Sequence, residues 1–193
     1  MKPLQGAPRG TLALGVDPSG GSSPWGIAVL EARRGYWVLS SHASPSPPRA
    51  LEELLGLLRA SHATPLACVD APITLPRGGR AFRAHERAAM RLGARLIPLN
   101  TQGMAKLVRA GVALTALLLE AGIPVCETHP GSFRGRSPEL VSMLAQGGLN
   151  RHEIDAVLAA AACASLIEGR SLLLKSREGC MLLPMALPKI KIL

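Results

Sequence analysis

The stretch Thr11–Glu31 constrains the fold most, because it combines two apolar runs with a break between them. The first run, Thr11–Val16, ends at Asp17, and Pro18 then stops the strand. A small, glycine-rich loop precedes the second run, Trp25–Leu30. The pattern predicts a β-hairpin whose first, buried strand ends in a carboxylate. Such an acid either begins an ordinary turn or, at the rim of a sheet, holds a cation or faces a phosphate.

The same pattern recurs at two later points in the chain. Leu66–Asp70 and Ile123–Glu127 are short apolar runs that again end in an acid, with a proline a few residues beyond. The carboxyl ends of parallel strands share one edge of an α/β sheet, so parallel packing would bring Asp17, Asp70 and Glu127 together. Carboxylates at close range repel one another unless Mg²⁺ or Mn²⁺ lies between them. The sequence therefore predicts a metal site at this edge.

A fourth acid lies on a helix that the pattern predicts over Asn150–Gly169. Asn150 is its N-cap, and Glu153 completes a variant of the capping box. Asp155 lies among apolar neighbours, and the alanine-rich run after it is expected to pack closely against another element. A buried carboxylate needs a counter-charge, which either a shared metal or an arginine would supply. His152, on the same helix face, is either a surface histidine or a group for metal ligation or proton transfer.

The segment Arg77–Arg95 is the most basic part of the chain. Arg80, Arg83, Arg87 and Arg91 follow spacings of three and four residues, which predicts one stripe on a helix. This stripe is either a solvated face or an anion-binding surface. The formal charge of +9 favours an anionic partner, nucleic acid above all. Since aromatic residues make up only 3% of the chain, arginine–phosphate contacts fit this partner better than base stacking does.

The remaining patterns complete an α/β arrangement in a single domain over residues 1–193. Further strands are predicted over Tyr36–Ser41 and, at the sheet edge, Gly179–Leu183, and further helices over Ala50–Ala60 (from the spacing of Leu51, Leu54, Leu55 and Leu58), Thr101–Ala121 and Ser137–Gln146.

The apolar segments and the cysteines of the chain bear on its cellular location and on membrane association. The first ten residues show no secretory signal, and the runs Val112–Leu119 and Ala156–Ile167 are shorter than a bilayer requires. Four cysteines without a C-x-x-C pair predict reduced core thiols rather than a zinc site. We therefore expect a cytoplasmic protein with no membrane partner. Edge strands and the apolar tail Met185–Leu193 would allow a homodimer.

The order of these elements and acids resembles the RNase H-like (RuvC-like) nuclease superfamily. The sequence Gly-Val-Asp-Pro-Ser-Gly around Asp17 resembles the first strand of RuvC-type Holliday-junction resolvases, and His152–Ala156 resembles their C-terminal H-x-x-D-A motif. A closer similarity is to the predicted-nuclease family known as domain of unknown function 429. It covers Leu12–Leu183 and is carried by Val69-Asp70-Ala71-Pro72, Arg80, Arg83, Glu127-Thr128-His129-Pro130 and Asp155-Ala156.

The resemblance implies an RNase H-like fold, with a five-stranded mixed sheet flanked by helices. It also implies a nuclease that hydrolyses phosphodiester bonds of DNA or RNA with Mg²⁺ or Mn²⁺. The implied metal ligands are Asp17, Asp70, Glu127 and Asp155, with His152 assisting them. The chain departs from the resolvases in having Asp rather than Glu at position 70 and an extra helix before the fifth strand. These differences argue against cleavage of Holliday junctions by this chain.

Two other hypotheses stay open. An inactive RNase H-fold protein that only binds nucleic acid would show salt-sensitive binding that survives loss of the acids. An enzyme of the actin-like class would use Asp17–Ser22 as its phosphate loop, although such proteins have two domains with a cleft between them.

Overall fold

Eight strands form one mixed sheet in the part of the chain that the structure, a computed structural model, describes: residues 7–60 and 65–192. Residues 1–6, 61–64 and 193 lie outside this description, as do the side chains of Leu51, Leu55 and Leu58 from the predicted leucine stripe. The strands are β1 (Leu12–Asp17), β2 (Gly26–Arg33), β3 (Tyr36–Ala43), β4 (Leu66–Val69), β5 (Val125–Thr128), β6 (Ser171–Ser176), β7 (Gly179–Pro184) and β8 (Ile190–Ile192). The α-helices are α1 (Pro47–Ala60), α2 (Ala84–Arg91), α3 (Gln102–Glu120), α4 (Pro138–Gln146) and α5 (Arg151–Ile167). Short 3₁₀ turns cover Arg77–Gly79, Pro130–Ser132 and Arg134–Arg136.

The strand order is β6-β7-β5-β4-β1-β2-β3-β8. The central part, β3-β2-β1-β4-β5, has β2 antiparallel to both neighbours, whereas β1, β4 and β5 run parallel. This mixed α/β arrangement is consistent with the RNase H-like fold expected from the sequence.

The predicted number of five strands is wrong, because three more extend the sheet at its two ends. β6 and β7 form an antiparallel hairpin beside β5, so the predicted edge strand β7 lies inside the sheet. Part of the apolar tail forms β8, which pairs with β3. Two strands were missed because their apolar runs are short: in β6 three leucines are followed at once by Lys175, and β8 has only three residues, with Lys191 at its centre.

Helices cover both faces of the sheet. On one face α5 packs across β1, β2 and β4, whereas α1 and α3 bury their apolar sides against the other face. Because side chains alternate along a strand, Leu14 and Val16 of β1 point to the α1–α3 side. Ala13, Gly15 and Asp17 consequently point towards α5. The four cysteines are free, as predicted, and Cys180 alone among them is only partly buried.

Three of the predicted helices, α3, α4 and α5, form within two residues of the predicted bounds. Asn150 caps α5 and makes the predicted capping box with Glu153. α3 is longer than the apolar run identified in the sequence, and by length and composition alone it would be able to cross a membrane. Its inner residues, Leu114 and Leu118, are buried against the sheet.

The prediction that Arg80, Arg83, Arg87 and Arg91 lie on one helix is wrong. The backbone is extended at Arg80 and at Arg83, with ψ angles of 148° and 164°, and the helix α2 starts only at Ala84. Arg80 and Arg83 therefore precede the helix that carries Arg87 and Arg91. The four arginines do not form one stripe.

Candidate metal centre

Two glycines allow α5 to approach the sheet unusually closely. A Cβ atom at Gly15 would lie 1.9 Å from the carbonyl oxygen of Ala156, and one at Gly26 would lie 1.9 Å from that of His152. The alanine-rich inner face of α5 completes this tight contact, as the sequence predicted. Consequently the first two turns of α5 lie directly against the ends of β1 and β2.

The close approach brings three carboxylates together at the edge of the sheet. Asp17 ends β1, and Asp70 follows β4, where its backbone N–H donates to the carbonyl oxygen of Val16 at 2.8 Å. Asp155 comes from the second turn of α5. One carboxylate oxygen of each of the three acids lies within 4.8 Å of the others. The predicted convergence therefore takes place for Asp17, Asp70 and Asp155.

Burial makes the ionised forms of Asp17 and Asp70 costly. It raises the pKa of Asp17 to about 6, helped by the charge of Asp155 and opposed by the hydrogen bond from His152. The pKa of Asp70 is raised well above its ordinary value by burial and by the charges of Asp17 and Asp155. Three negative charges in this space are thus unfavourable at neutral pH without a cation.

Three basic side chains contact the cluster. Nδ1 of His152 donates to Oδ2 of the ionised Asp17 at 2.8 Å. Nη2 of Arg134 donates to Oδ1 of Asp155, and Nε of the exposed Arg151 lies 3.9 Å from Oδ2 of the same carboxylate. The sequence predicted that Asp155 needs a counter-charge, which either a metal or an arginine would supply. In this structure Arg134 supplies it, and no spacing in the sequence distinguishes Arg134 from the other arginines.

Glu127 does not join the three aspartates. It pairs in register with Val69 rather than with Asp70, and a shift of one residue turns a side chain to the opposite face of the sheet. There its Oε2 accepts hydrogen bonds from Arg83 Nη1 at 2.8 Å and from the Ile73 N–H at 3.0 Å. Burial raises the pKa of Glu127 to about 7, although Arg83 opposes the shift.

Arg83 is fully buried, which contradicts its predicted role in holding phosphate. Its Nη2 donates to Oε1 of Glu127 and, at 2.8 Å, to Oε1 of Glu86. These two carboxylates raise the pKa of Arg83 against the opposing effect of burial. The residue is thus the centre of a buried ion triad beneath the cleft.

The other predicted arginines lie on the surface in separate places. Arg80 and Arg91 are exposed, whereas Arg87 is half-buried and donates to the carbonyl oxygen of Phe82 at 2.7 Å. Arg151, which the sequence analysis did not select, lines the cleft together with the acids.

The aspartates lie in a cleft of about 420 Å³. One wall is the loop after β1, in which Gly20 lies so close to α3 that a Cβ atom would be 2.9 Å from the Leu107 nitrogen. Next to this loop lies a group of apolar side chains, called here the aliphatic wall: Leu96, Ile97, Leu99, Met104 and Leu107. Thr128, His129 and Glu127 complete the lining.

The donor set fits a divalent cation. Carboxylate oxygens are the hard ligands that Mg²⁺ and Mn²⁺ prefer. Asp70 has no ion-pair partner among the described residues, so its charge is the least compensated of the three. The residues thus suit a metal of this class without identifying which one.

Comparison with known proteins adds little to this geometry. Neither a protein-family model nor a curated protein sequence matches the chain, so its place in domain of unknown function 429 stays a prediction. Among solved structures, the chain is similar to the large terminase from a thermophilic bacteriophage, at 15% sequence identity and a TM-score of 0.33. The similarity covers 81% of this chain and 40% of the terminase, so the chain spans two-fifths of that protein's length.

Proposed function

We propose that the protein is a metal-dependent nuclease that hydrolyses phosphodiester bonds of nucleic acid. The observation that carries this proposal is the convergence of Asp17, Asp70 and Asp155, with oxygens within 4.8 Å of one another, at an accessible cleft. The net charge of +9 supports a polyanionic substrate.

Asp17, Asp70 and Asp155 would hold the Mg²⁺ or Mn²⁺. When bound, such an ion polarises a phosphate and makes a water molecule more acidic. The hydrogen bond from His152 fixes the orientation of the Asp17 carboxylate, and the half-exposed imidazole ring lines the cleft, where it can carry a proton. We assign to Glu127 the role of an outer acid that Arg83 holds in place. Arg151, 81% exposed at the rim, replaces Arg83 as the phosphate contact.

Calorimetry with Mn²⁺ tests the metal site. We expect saturable binding to the wild type and at least about tenfold weaker binding to Asp155→Asn, since a ligand is lost. Glu139→Gln, an exposed change on α4, is the matched control and is expected to bind as the wild type does. Absence of Mn²⁺ binding to the wild type, with and without nucleic acid, would contradict the proposal.

A panel of DNA and RNA substrates with Mn²⁺ tests the reaction. We expect cleavage by the wild type and none by Asp17→Asn. Equal turnover by the two proteins would exclude the carboxylate site as the catalytic centre.

One observation favours an inactive nucleic-acid-binding protein as the alternative. Arg134 already neutralises Asp155, so the cluster is partly compensated without a metal. On this alternative, nucleic acid binds in a salt-sensitive manner, and Asp17→Asn binds as tightly as the wild type or more tightly.

A further inference from the structure

The aliphatic wall lines the cleft beside the aspartates. It comes from the connection between α2 and α3 and from the first two turns of α3, and its members are Leu96, Ile97, Leu99, Met104 and Leu107. Ile97 is 58% exposed, whereas Leu99 is buried. An apolar side chain held at the mouth of an acidic cleft indicates a ligand with an apolar part as well as a charged part.

The dimensions of the cleft restrict what can reach the acids. A space of about 420 Å³ lies near the lower end of the range for small-molecule sites, roughly 300–1,000 Å³. The aspartates share this space with the loop around Gly20 and with the aliphatic wall, against which Gly20 packs at Leu107. A nucleotide-sized group matches a space of this volume, whereas a base-paired duplex holds its phosphates on a wide, stiff surface.

The polar and the apolar residues of the lining match two parts of a nucleotide. Arg151, and a cation if the aspartates hold one, would suit a phosphate. The aliphatic wall suits the faces of a base and sugar, because proteins that bind extruded or unpaired nucleotides hold the base between apolar side chains. The side chains that line this cleft include no Phe, Tyr or Trp, so the aliphatic wall supplies most of the apolar surface for contact with a base.

We propose that the cleft takes an unpaired strand of nucleic acid, one nucleotide at a time, and that Ile97 is a residue that selects unpaired over base-paired substrate. This inference rests on the proposed nuclease function and names its substrate class.

A pair of matched variants tests the role of the wall. Ile97→Asp introduces a charge at the mouth of the cleft, whereas Leu92→Asp changes a residue of similar exposure (49%) on the same connection that does not line it. The probes are a fluorescein-labelled single strand of about 12 nucleotides, the same strand in a duplex, and an unlabelled dinucleotide as competitor. Binding is followed by fluorescence anisotropy, and Mn²⁺ affinity by calorimetry.

We expect the wild type to bind the single strand at least about tenfold more tightly than the duplex, and Ile97→Asp to lose about tenfold of this affinity with unchanged Mn²⁺ affinity. Leu92→Asp is expected to bind as the wild type does. Equal affinity for duplex and single strand, or equal affinity of Ile97→Asp and wild type, would overturn the inference. So would tight binding of the dinucleotide together with no binding of the longer strand.

These outcomes separate the inference from the proposed function. If duplex is bound and cleaved as well as single strand, and Asp17→Asn is inactive, the substrate class is wrong but the nuclease stands. If single-strand binding depends on Ile97 and no cleavage occurs, the result supports an unpaired strand as the occupant of the cleft and excludes the nuclease function.

Discussion

Replacing Asp17 by Asn is expected to change how the stability of the metal-free protein depends on pH. The folded pKa of Asp17, about 6, lies above its ordinary value of 3.8, so the folded state binds the proton more tightly than the unfolded state does. The resulting stabilisation is fully present below about pH 4 and is lost as the pH rises through the folded pKa. Asn keeps an oxygen that accepts the hydrogen bond from His152 but has no charge to bury.

The magnitude follows from the two pKa values. Each unit of difference is worth about 1.4 kcal/mol, so the full effect is about 3 kcal/mol. About 1.4 kcal/mol of it lies between pH 5 and pH 7.5, which corresponds to about 3 to 6 °C in Tm for a chain of this length. Burial also lowers the pKa of His85 to about 4, which destabilises the folded state in the acidic range and works in the opposite direction. The difference between variant and wild type removes this second contribution.

Urea unfolding at pH 5 and pH 7.5 in the presence of a chelator measures the effect. We expect the free energy of unfolding of Asp17→Asn minus that of the wild type to be about 1.4 kcal/mol larger at pH 7.5 than at pH 5, because only the wild type loses this stabilisation as the pH rises. Glu120→Gln, an exposed change at the end of α3, should follow the wild-type profile. If the free energies of unfolding of Asp17→Asn and of the wild type change equally with pH, the argument that burial raises the pKa of Asp17 is refuted. Added Mn²⁺ should stabilise the wild type at pH 7.5 and leave the variant nearly unchanged.

Three further substitutions test the contacts around the cleft. Arg83→Met leaves Glu127 without its buried partner, and we expect a loss of about 3–5 kcal/mol in urea unfolding at neutral pH, with a smaller loss at pH 5, where Glu127 is protonated. Arg134→Ala removes a charged hydrogen bond that competes with a metal for Asp155, and we expect Mn²⁺ to bind about tenfold more tightly in calorimetry. Gly15→Ala places a methyl group against α5, and we expect a loss of about 3 kcal/mol, measured as Tm, together with weaker Mn²⁺ binding.

Each of these has a control that leaves the contact intact. Arg80→Met changes an exposed arginine close to Arg83, and Arg136→Ala changes one in the same 3₁₀ turn as Arg134. Gly21→Ala adds a methyl group where no atom lies within 4 Å. All three controls are expected to behave as the wild type does. The arguments fail if the stability of Arg83→Met matches that of Arg80→Met, if Arg134→Ala binds Mn²⁺ no more tightly than Arg136→Ala, or if Gly15→Ala is as stable as Gly21→Ala.

The sequence predicts the central fold and three of the site acids because these depend on local patterns. Strands that end in Asp17 and Asp70, and the capped helix with Asp155, can be identified from apolar runs, prolines and caps. The partner of Asp155 cannot be identified in this way. Arg134 reaches it from a short turn 21 residues earlier, and that contact depends on how the chain folds back after β5.

The arginine segment shows the opposite case, in which a clear local pattern is misleading. Spacings of three and four residues indicate a helical stripe only where the backbone is helical, and the backbone is extended at Arg80 and Arg83. The position of the Arg83 side chain is set by its hydrogen bonds to two buried carboxylates, those of Glu86 and Glu127, rather than by a helical period. Contacts within one chain do not test the predictions of a homodimer, of nucleic acid as partner and of a cytoplasmic location. These three stay predictions.

Glu127 shows why strand ends alone do not define the site. Its strand is parallel to β4 and ends at the same edge, as the sequence predicts, but its register is one residue short of Asp70. That single step places the carboxylate on the face where Arg83 lies, and it converts an expected ligand into an acid held beside the cleft. Glu127 still lines the cleft and has a pKa of about 7, so under the proposed function it would be placed to exchange a proton with a substrate. Register, which strand patterns do not determine, therefore separates the three acids of the candidate metal centre from an acid that lies beside it.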